Sequence, residues 1–198
     1  GQVGGAAGVT EYLWHGLGFG GSCFPKDVAA LRSFGRTVGE QTRMLDAVLD
    51  INTDQPLRMV ALLEKELSLA GKTVAVLGLA FKPGTDDLRE SPALPLVAEL
   101  RKKGAKVLVH DPIAMPHAKK RPEFRDVVFA EDWAEALRKS DACCLVTAWP
   151  EYRNIQPTNF QKLMTRALVI DGRGVFEPAA MAAAGVVWRG VGYTPEST

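Results

Sequence analysis

One short segment, Thr73-Val74-Ala75-Val76-Leu77-Gly78-Leu79-Ala80-Phe81, carries most of the information about the fold. It is apolar and rich in β-branched residues, which is typical of a strand buried on both faces in a parallel sheet. Further strands are predicted at residues 106–111, 142–147, 167–171 and, at an edge, 185–188. Helical patterns separate them, at residues 91–104, 133–139, 160–164 and 178–184. The alternation predicts an α/β fold with a Rossmann-like, doubly wound parallel sheet.

A long-helix segment precedes this sheet. Residues 27–37 predict a short helix, and residues 40–69 place apolar side chains at helical spacings of three and four. Pro56 must kink or divide the longer helix, because proline lacks the main-chain N–H group that a helix interior needs. The apolar stripe of this helix requires a partner, either in a second copy of the chain or in another domain.

The composition is that of an ordinary globular protein. Of 198 residues, 46% are apolar and 24% are charged, and the 24 Lys and Arg against 23 Asp and Glu give a net charge of +1. This balance gives no indication of binding to nucleic acid or to an anionic membrane. No apolar run reaches the length of a membrane span. The three cysteines have neither disulfide nor metal-ligand spacing, so we expect a cytoplasmic protein without a metal site.

A second segment, Gly18-Phe19-Gly20-Gly21-Ser22-Cys23-Phe24-Pro25-Lys26-Asp27, combines three glycines with a thiol, an amine and a carboxylate. Glycines let the main chain approach a ligand closely. Pro25 predicts the first turn of a helix, which places Cys23 just before the helix N-terminus, where the helix dipole and Lys26 favour a thiolate. Asp27 is close enough to orient a water molecule. The alternative is that Cys23 is a buried packing residue, as most isolated cysteines are.

The segment after the first strand lacks the Gly-x-Gly-x-x-Gly pattern of dinucleotide-binding folds. It carries Lys82 instead, followed by Thr85-Asp86-Asp87-Leu88-Arg89-Glu90-Ser91. Ligands of open parallel sheets bind at the carboxyl ends of the strands, where this segment is expected to lie. Lys82 and Arg89 are suited to phosphate or ribose oxygens. Alternatively, they are surface charges that pair with the neighbouring carboxylates.

Both segments resemble signatures of the UDP-glucose/GDP-mannose dehydrogenase family. Residues 18–27 resemble its active-site signature, and residues 80–92 match its second signature along their whole length. Asp171-Gly172-Arg173 is similar to a late Asp-(Gly/Ala)-Arg element of the family. Members oxidise the C6 alcohol of a nucleotide sugar to a carboxylate, using two NAD and a cysteine nucleophile. The pattern around Cys23 is closer to the UDP-glucose branch than to the branch that acts on N-acetylated sugars.

The resemblance implies a role for each residue that it covers. Cys23 would be the nucleophile, and Asp27 would position the hydrolytic water. The residues implied to bind the nucleotide sugar are Trp14, His15, Gly16, Leu17, Gly18, Phe19, Gly20 and Lys82. Main-chain N–H groups of residues 16–20 would approach the sugar. The residues implied to bind NAD are Cys23, Phe24, Pro25, Lys26 and Arg89.

The resemblance also implies a domain organisation. Residues 1–70 would be the end of a central helical domain, containing the catalytic cysteine and the long helix. Residues 71–198 would be a C-terminal, Rossmann-like, UDP-binding domain. The family's N-terminal dinucleotide-binding domain has no counterpart here, so we expect a fragment of a longer protein. Ala7 stands where many members carry an arginine, so either that contact is lost or the alignment shifts locally.

The sequence leaves alternatives for the substrate and for turnover. GDP-mannose is an alternative substrate to UDP-glucose, because the loops that contact the base are not apparent in the sequence. The chain by itself could be a nucleotide-binding module without turnover, because half of the family's cofactor site would be missing. The apolar stripe of the long helix predicts a homodimer or a larger homo-oligomer.

Overall fold

The computed structural model describes residues 15–193. Within this range six strands form one sheet: β1 (Thr73–Leu77), β2 (Lys106–His110), β3 (Val128–Phe129), β4 (Ala142–Leu145), β5 (Leu168–Asp171) and β6 (Val187–Gly190). All neighbouring pairs are parallel, and the order across the sheet is β3-β2-β1-β4-β5-β6. This is the strand order of doubly wound Rossmann folds. The predicted fold class is confirmed.

Helices lie before the sheet and between its strands. Those before it are α1 (Phe24–Thr37), α2 (Arg43–Asp54) and α3 (Leu57–Glu64). Those that follow β1 are α4 (Ala93–Lys102), α5 (Met115–Ala118), α6 (Trp133–Leu137), α7 (Pro150–Arg153), α8 (Pro157–Leu163) and α9 (Pro178–Ala183). Proline occupies the first turn of α1, α5, α7, α8 and α9, where its missing N–H group has no intrahelical partner to lose.

The core is centred on β1, which pairs with β2 on one side and with β4 on the other. Its residues from Val74 to Leu77 are fully buried, and so are Cys143 and Cys144 in β4. Strand β1 ends at Leu77, earlier than predicted, because Gly78 has a φ of +93° and a side chain there would overlap Thr147. Glycine adopts this conformation readily, and it turns the chain out of the sheet.

The long-helix segment is divided at Pro56. Helix α2 ends at Asp54 and α3 begins at Leu57, so proline separates two helices. Helix α3 contacts α4 and β5 through the buried side chains Met59, Val60 and Leu63. Helices α1 and α2 pack on each other, yet α2 contains no buried residue and Gly35 is the one buried residue of α1.

Short elements account for most differences from the sequence prediction. Strand β3 and helices α5 and α7 have two to four residues each, too few for a hydrophobic period to be recognised. Helix α1 begins at Phe24, three residues before the predicted start, and β6 lies two residues later than predicted. None of the helices within residues 15–193 is long and apolar enough to span a bilayer.

Candidate active site

Two loops from distant parts of the sequence are docked on each other. We call residues 15–23 the cysteine loop and residues 78–92 the β1 loop. The N–H group of Gly21 donates to the carbonyl oxygen of Arg89 at 2.9 Å. A Cβ atom on Gly20 would overlap the carbonyl oxygen of Glu90, and one on Gly21 would lie 2.8 Å from the ring of Phe81. These glycines are therefore needed for the two loops to approach each other.

Helix α2 holds the cysteine loop from a second side. The side chain of Asn52 bonds both main-chain groups of Phe19: Oδ1 accepts from the N–H group at 2.7 Å, and Nδ2 donates to the carbonyl oxygen at 3.0 Å. Gln55 Nε2 donates to the carbonyl oxygen of Gly16 at 3.0 Å. The expectation that the main-chain N–H groups of residues 16–20 face a sugar is therefore wrong at Phe19, because Asn52 occupies that group.

The turn after β5 holds the loop from a third side. Leu17 is buried and packs on Gly172. The neighbouring Arg173 donates from Nε to the carbonyl oxygen of Val146 at 2.7 Å, and a Cβ atom on Gly16 would lie 3.1 Å from its guanidinium. Desolvation lowers the pKa of Arg173, and within the described residues no carboxylate forms an ion pair with it. This turn thus brings a desolvated cation to the cysteine loop.

Cys23 lies immediately before α1 and is exposed to solvent. Its sulfur is 3.7 Å from the hydroxyl of Ser22, and its carbonyl oxygen accepts from the N–H group of Asp27 at 2.8 Å in the first helical turn. Lys26 Nζ is 3.3 Å from Asp27 Oδ1, and both side chains are exposed. The position of Cys23 before a helix that has Pro25 in its first turn agrees with the sequence prediction.

Phe24 extends the exposed surface around the thiol. It is 57% exposed, and its ring meets that of Phe19 edge-to-face with 4.6 Å between centroids. An aromatic side chain this accessible beside a thiol is available to a planar ligand group.

Lys82 and Arg89 have different surroundings in the β1 loop. Arg89 binds Asp87 through Nε and Nη2, at distances of 2.8–3.1 Å. This hydrogen-bonded pair lowers the pKa of Asp87 and raises that of Arg89, to which the charge of Cys23 adds a smaller effect. Lys82 Nζ lies 5.4 Å from the centroid of the Phe81 ring. The ion pairs of residues 15–193 include no partner for Lys82, so the alternative of a paired surface charge applies to Arg89 and not to Lys82.

A cavity of about 430 Å³ lies where the cysteine loop, α2 and the β1 loop meet. Its lining includes Leu17, Phe19, Asn52, Arg89 and Arg121. A second cavity, of about 560 Å³, also includes Arg89, together with His117 and Lys120. Arg89 and Arg121 therefore line both cavities.

His15 is the remaining predicted site residue whose surroundings the structure describes. The ring of His15 packs edge-to-face on Tyr193, with 5.3 Å between centroids, beside Gly192. Trp14 and Ala7 lie outside the described residues. Throughout residues 15–193, no three His, Cys, Asp or Glu side chains are grouped so that they could hold a metal ion.

Sequence reasoning did not identify Asn52 or Gln55 as site residues. Their signal is weak, because each is a polar residue near the end of an apolar helical pattern and its partner lies more than thirty residues away. Arg173 belongs to the Asp171-Gly172-Arg173 element, for which the sequence predicts no specific role.

Comparison with known proteins agrees with this arrangement. The UDP-binding domain of the UDP-glucose/GDP-mannose dehydrogenase family matches residues 75–178, and the central domain of the same family matches residues 4–54. The chain belongs to the UDP-glucose/GDP-mannose dehydrogenase family. The two matched ranges contain the two docked loops, one in each.

Curated relatives include UDP-glucose 6-dehydrogenases. That of Haloferax volcanii is 45% identical over 166 residues, covering 84% of this chain and 38% of its own length. That of Bacillus subtilis is 38% identical over 187 residues, covering 92% of this chain and 40% of its own length. The chain thus spans about two fifths of the length of these relatives.

Solved structures of similar proteins share the fold. A UDP-glucose dehydrogenase from Pyrobaculum islandicum superposes with a TM-score of 0.80 at 39% identity, covering 92% of this chain and 40% of that protein. A GDP-mannose dehydrogenase from Pseudomonas aeruginosa superposes with a TM-score of 0.76 at 25% identity, covering 92% and 41%. Both substrate branches of the family therefore contain this arrangement of elements.

Proposed function

We propose that this chain is the C-terminal part of an NAD-dependent nucleotide-sugar dehydrogenase that oxidises UDP-glucose to UDP-glucuronate in the cytoplasm. In this proposal, residues 1–70 end the central domain and residues 71–198 form the UDP-binding domain. The observation that supports it most is the docking of the cysteine loop on the β1 loop, through the Gly21–Arg89 hydrogen bond of 2.9 Å. The two family signatures thereby form one surface, with an exposed thiol at its edge.

Lys82 is the proposed ligand of the nucleotide sugar. A cation without a carboxylate partner is available to pair with a diphosphate, and Lys82 is exposed with no such partner in the described part of the chain. Arg173 is a second candidate, because its desolvated guanidinium lies against Gly16. Charge-assisted hydrogen bonds to phosphate are stronger than neutral ones.

NAD fits the exposed groups around Cys23. Arg89 presents an exposed guanidinium beside the cysteine loop, Lys26 an exposed ammonium, and Phe24 an exposed ring. Arg89 and Lys26 are paired with Asp87 and Asp27, but both are exposed and keep further N–H groups that can donate to NAD, and Phe24 together with Pro25 supplies apolar surface. When bound, NAD would accept one hydride in each of the two oxidation steps, so that two NAD molecules are reduced for each uronate formed.

Cys23 is proposed to act once the C6 alcohol has become an aldehyde. Its thiolate adds to the aldehyde carbon, forming a C–S bond while the carbonyl oxygen takes a proton, and this thiohemiacetal is then oxidised to a thioester. Water attacks the thioester carbon, the C–S bond breaks, and the thiolate is regenerated with the carboxylate product. Asp27, one helical turn after Cys23, is proposed to orient that water. The exposure of Cys23 supports this role, because the carbon must reach the sulfur.

Two alternatives concern the substrate and the turnover of the chain. GDP-mannose is an alternative substrate, since the Pseudomonas aeruginosa GDP-mannose dehydrogenase has the same arrangement of elements. The 198-residue chain alone is proposed to bind the nucleotide sugar without turnover, since it spans about two fifths of the length of its relatives.

Titration calorimetry with the 198-residue chain tests the proposed substrate site. We expect UDP-glucose to bind more tightly than GDP-mannose, and Lys82→Ala to weaken UDP-glucose binding about tenfold, because one charge-assisted hydrogen bond is lost. Lys119→Ala is the matched control, since Lys119 also lies over a phenylalanine ring, at 5.6 Å from the centroid of Phe129. Equal affinities for the Lys82 variant and the unmodified chain would remove Lys82 from the site.

A further inference from the structure

All four polar main-chain groups of the dipeptide Leu79–Ala80 are bonded to buried side chains. Both N–H groups donate to Asp111 Oδ2, at 2.7 Å from Leu79 and 3.0 Å from Ala80. The carbonyl oxygen of Leu79 accepts from Ser91 Oγ at 2.6 Å, and that of Ala80 accepts from Thr147 Oγ1 at 2.6 Å. The three side chains are each 1% exposed. The dipeptide is therefore fixed by Asp111 from the segment after β2, by Thr147 from the segment after β4, and by Ser91 from the end of its own β1 loop.

Asp111 is the centre of this arrangement. Besides the dipeptide, its carboxylate accepts from Trp149 Nε1 at 3.0 Å and from the N–H groups of Ile113 and Ala114 at 3.0 and 2.8 Å. A buried carboxylate is tolerated only when hydrogen bonds replace its hydration, and here five donors do so. In dinucleotide-binding folds the N–H groups after the first strand bind a phosphate of the ligand. In this chain a resident carboxylate occupies those N–H groups.

The fixed dipeptide leads directly into the proposed substrate site. The next residue, Phe81, supports Gly20 and Gly21 of the cysteine loop, and the one after it is Lys82, whose ammonium lies over the Phe81 ring. The direction in which the chain leaves Ala80 therefore sets where both side chains lie relative to Cys23.

We propose that Asp111, Ser91 and Thr147 are positioning residues, which hold Leu79–Ala80 so that Phe81 and Lys82 face the cysteine loop. The part of this inference that concerns the nucleotide sugar rests on the proposed function. None of the three side chains needs to touch the ligand, because each acts through the main chain of the dipeptide.

The first test removes one bond without changing shape. Thr147→Val deletes the hydroxyl that binds Ala80, and Thr147→Ser restores a hydroxyl. Ser140→Ala is the control, since Ser140 is also fully buried and its Oγ donates to the carbonyl oxygen of Leu137 at 2.8 Å. Thr147→Val and Ser140→Ala are expected to lower the melting temperature alike. UDP-glucose affinity, measured by calorimetry, is expected to fall about fivefold in Thr147→Val, with recovery in Thr147→Ser and no change in Ser140→Ala.

The second test does not depend on a ligand. The exchange rate of the Gly21 amide hydrogen, measured by NMR, reports the contact of the cysteine loop with the β1 loop. We expect about tenfold faster exchange in Thr147→Val and in Asp111→Asn, but not in Ser140→Ala. Asp111→Asn also serves if Thr147→Val does not fold.

The outcomes separate the two proposals. If the unmodified chain does not bind UDP-glucose, the proposed substrate is wrong, and the exchange rate of Gly21 alone decides the positioning role. If Thr147→Val and Asp111→Asn keep the unmodified affinity and exchange rate, the three side chains only stabilise the fold, and the positioning proposal is overturned.

Discussion

Cys23 differs in its surroundings from the other two cysteines of the chain. Cys143 and Cys144 are fully buried in β4. Burial raises the pKa of Cys144 to about 12, and it raises that of Cys143, with smaller effects from the charges of Cys144 and Asp171. Thiolates react much faster than thiols. Both residues are therefore protected from alkylation, because reagents cannot reach them and because they stay protonated. Cys23 is exposed.

Alkylation measures this difference directly. With iodoacetamide at pH 8, we expect Cys23 to be labelled while Cys143 and Cys144 remain unlabelled until the protein unfolds. Mass spectrometry of peptides after timed quenching gives the rate for each residue, and the same experiment in denaturant is the control for intrinsic reactivity. Earlier labelling of the adjacent pair would make Cys23 the packing residue.

At the scale of residues, local patterns could be recognised from sequence and long-range partners could not. The position of Cys23 before a helix follows from Pro25 and the apolar residues after it, all within one segment. Asn52 was not predicted, because its bonds to Phe19 connect residues 33 positions apart. Arg89 pairs with Asp87, whereas Lys82 pairs with no carboxylate of the described residues. This difference depends on the path of the β1 loop, which residue types alone do not fix.

At the scale of elements, the cysteine loop depends on glycine at a position of close contact. Gly18 has a φ of +89°, and a Cβ atom there would overlap Asn52 Oδ1. Gly71 has a φ of +74° and has no atom within 4 Å of such a Cβ. The two positions therefore share the unusual main-chain conformation and differ in the space around it.

We expect Gly18→Ala to destabilise the protein more than Gly71→Ala. Gly71→Ala is the control, and it is expected to lower the free energy of unfolding by about 1–2 kcal/mol for the left-handed conformation alone. Gly18→Ala adds overpacking against Asn52, of about 1–3 kcal/mol, unless the α2 contact opens. Urea unfolding of both variants gives the free energies of unfolding. Equal losses of the free energy of unfolding in the two variants would mean that Asn52 moves aside freely and does not hold the cysteine loop in place.

The elements that could be predicted are those with enough residues for a period or a buried run. The central strands β1, β2, β4 and β5 follow from apolar, β-branched runs. Strand β3 has two residues and is defined by its pairing with β2, which is a tertiary contact. The end of β1 at Leu77 is set by the contact of Gly78 with Thr147, so an apolar run that continues to Phe81 overestimates the strand.

At the scale of the whole molecule, α1, the residue after it and α2 carry large exposed apolar side chains. They are 55–79% exposed and recur at spacings of three, four or seven, which places those of each helix on one side of it: Leu31, Phe34, Val38, Met44 and Ile51. Exposed apolar clusters of this kind usually mark an interface. The segment after α3 is attached to the sheet region, since Glu66 binds both Arg166, at 3.1 Å, and Arg189, at 2.6 Å. We propose that a second copy of the chain covers the face of α1 and α2, because a two-fold axis would pair identical apolar surfaces.

Sedimentation equilibrium tests this dimer. We expect the 198-residue chain to dimerise in a concentration-dependent way and Phe34→Asp to make it monomeric. Val128→Asp is the control, since Val128 is an apolar residue of similar exposure, 57%, at the β3 edge of the sheet. A monomeric unmodified chain would mean that another domain of a longer protein covers this face.

The central proposal is that Cys23 is the nucleophile of a nucleotide-sugar dehydrogenase. It is tested most directly by measuring uronate formation by the longer protein proposed to contain this chain, supplied with UDP-glucose and NAD. With Cys23 intact, we expect UDP-glucuronate and two NADH for each uronate formed. Cys23→Ser should bind UDP-glucose with unchanged affinity and form no uronate, because a serine hydroxyl is a poor nucleophile without a base and a poor leaving group from an acyl intermediate. Uronate formation by Cys23→Ser at the unmodified rate would contradict the proposal.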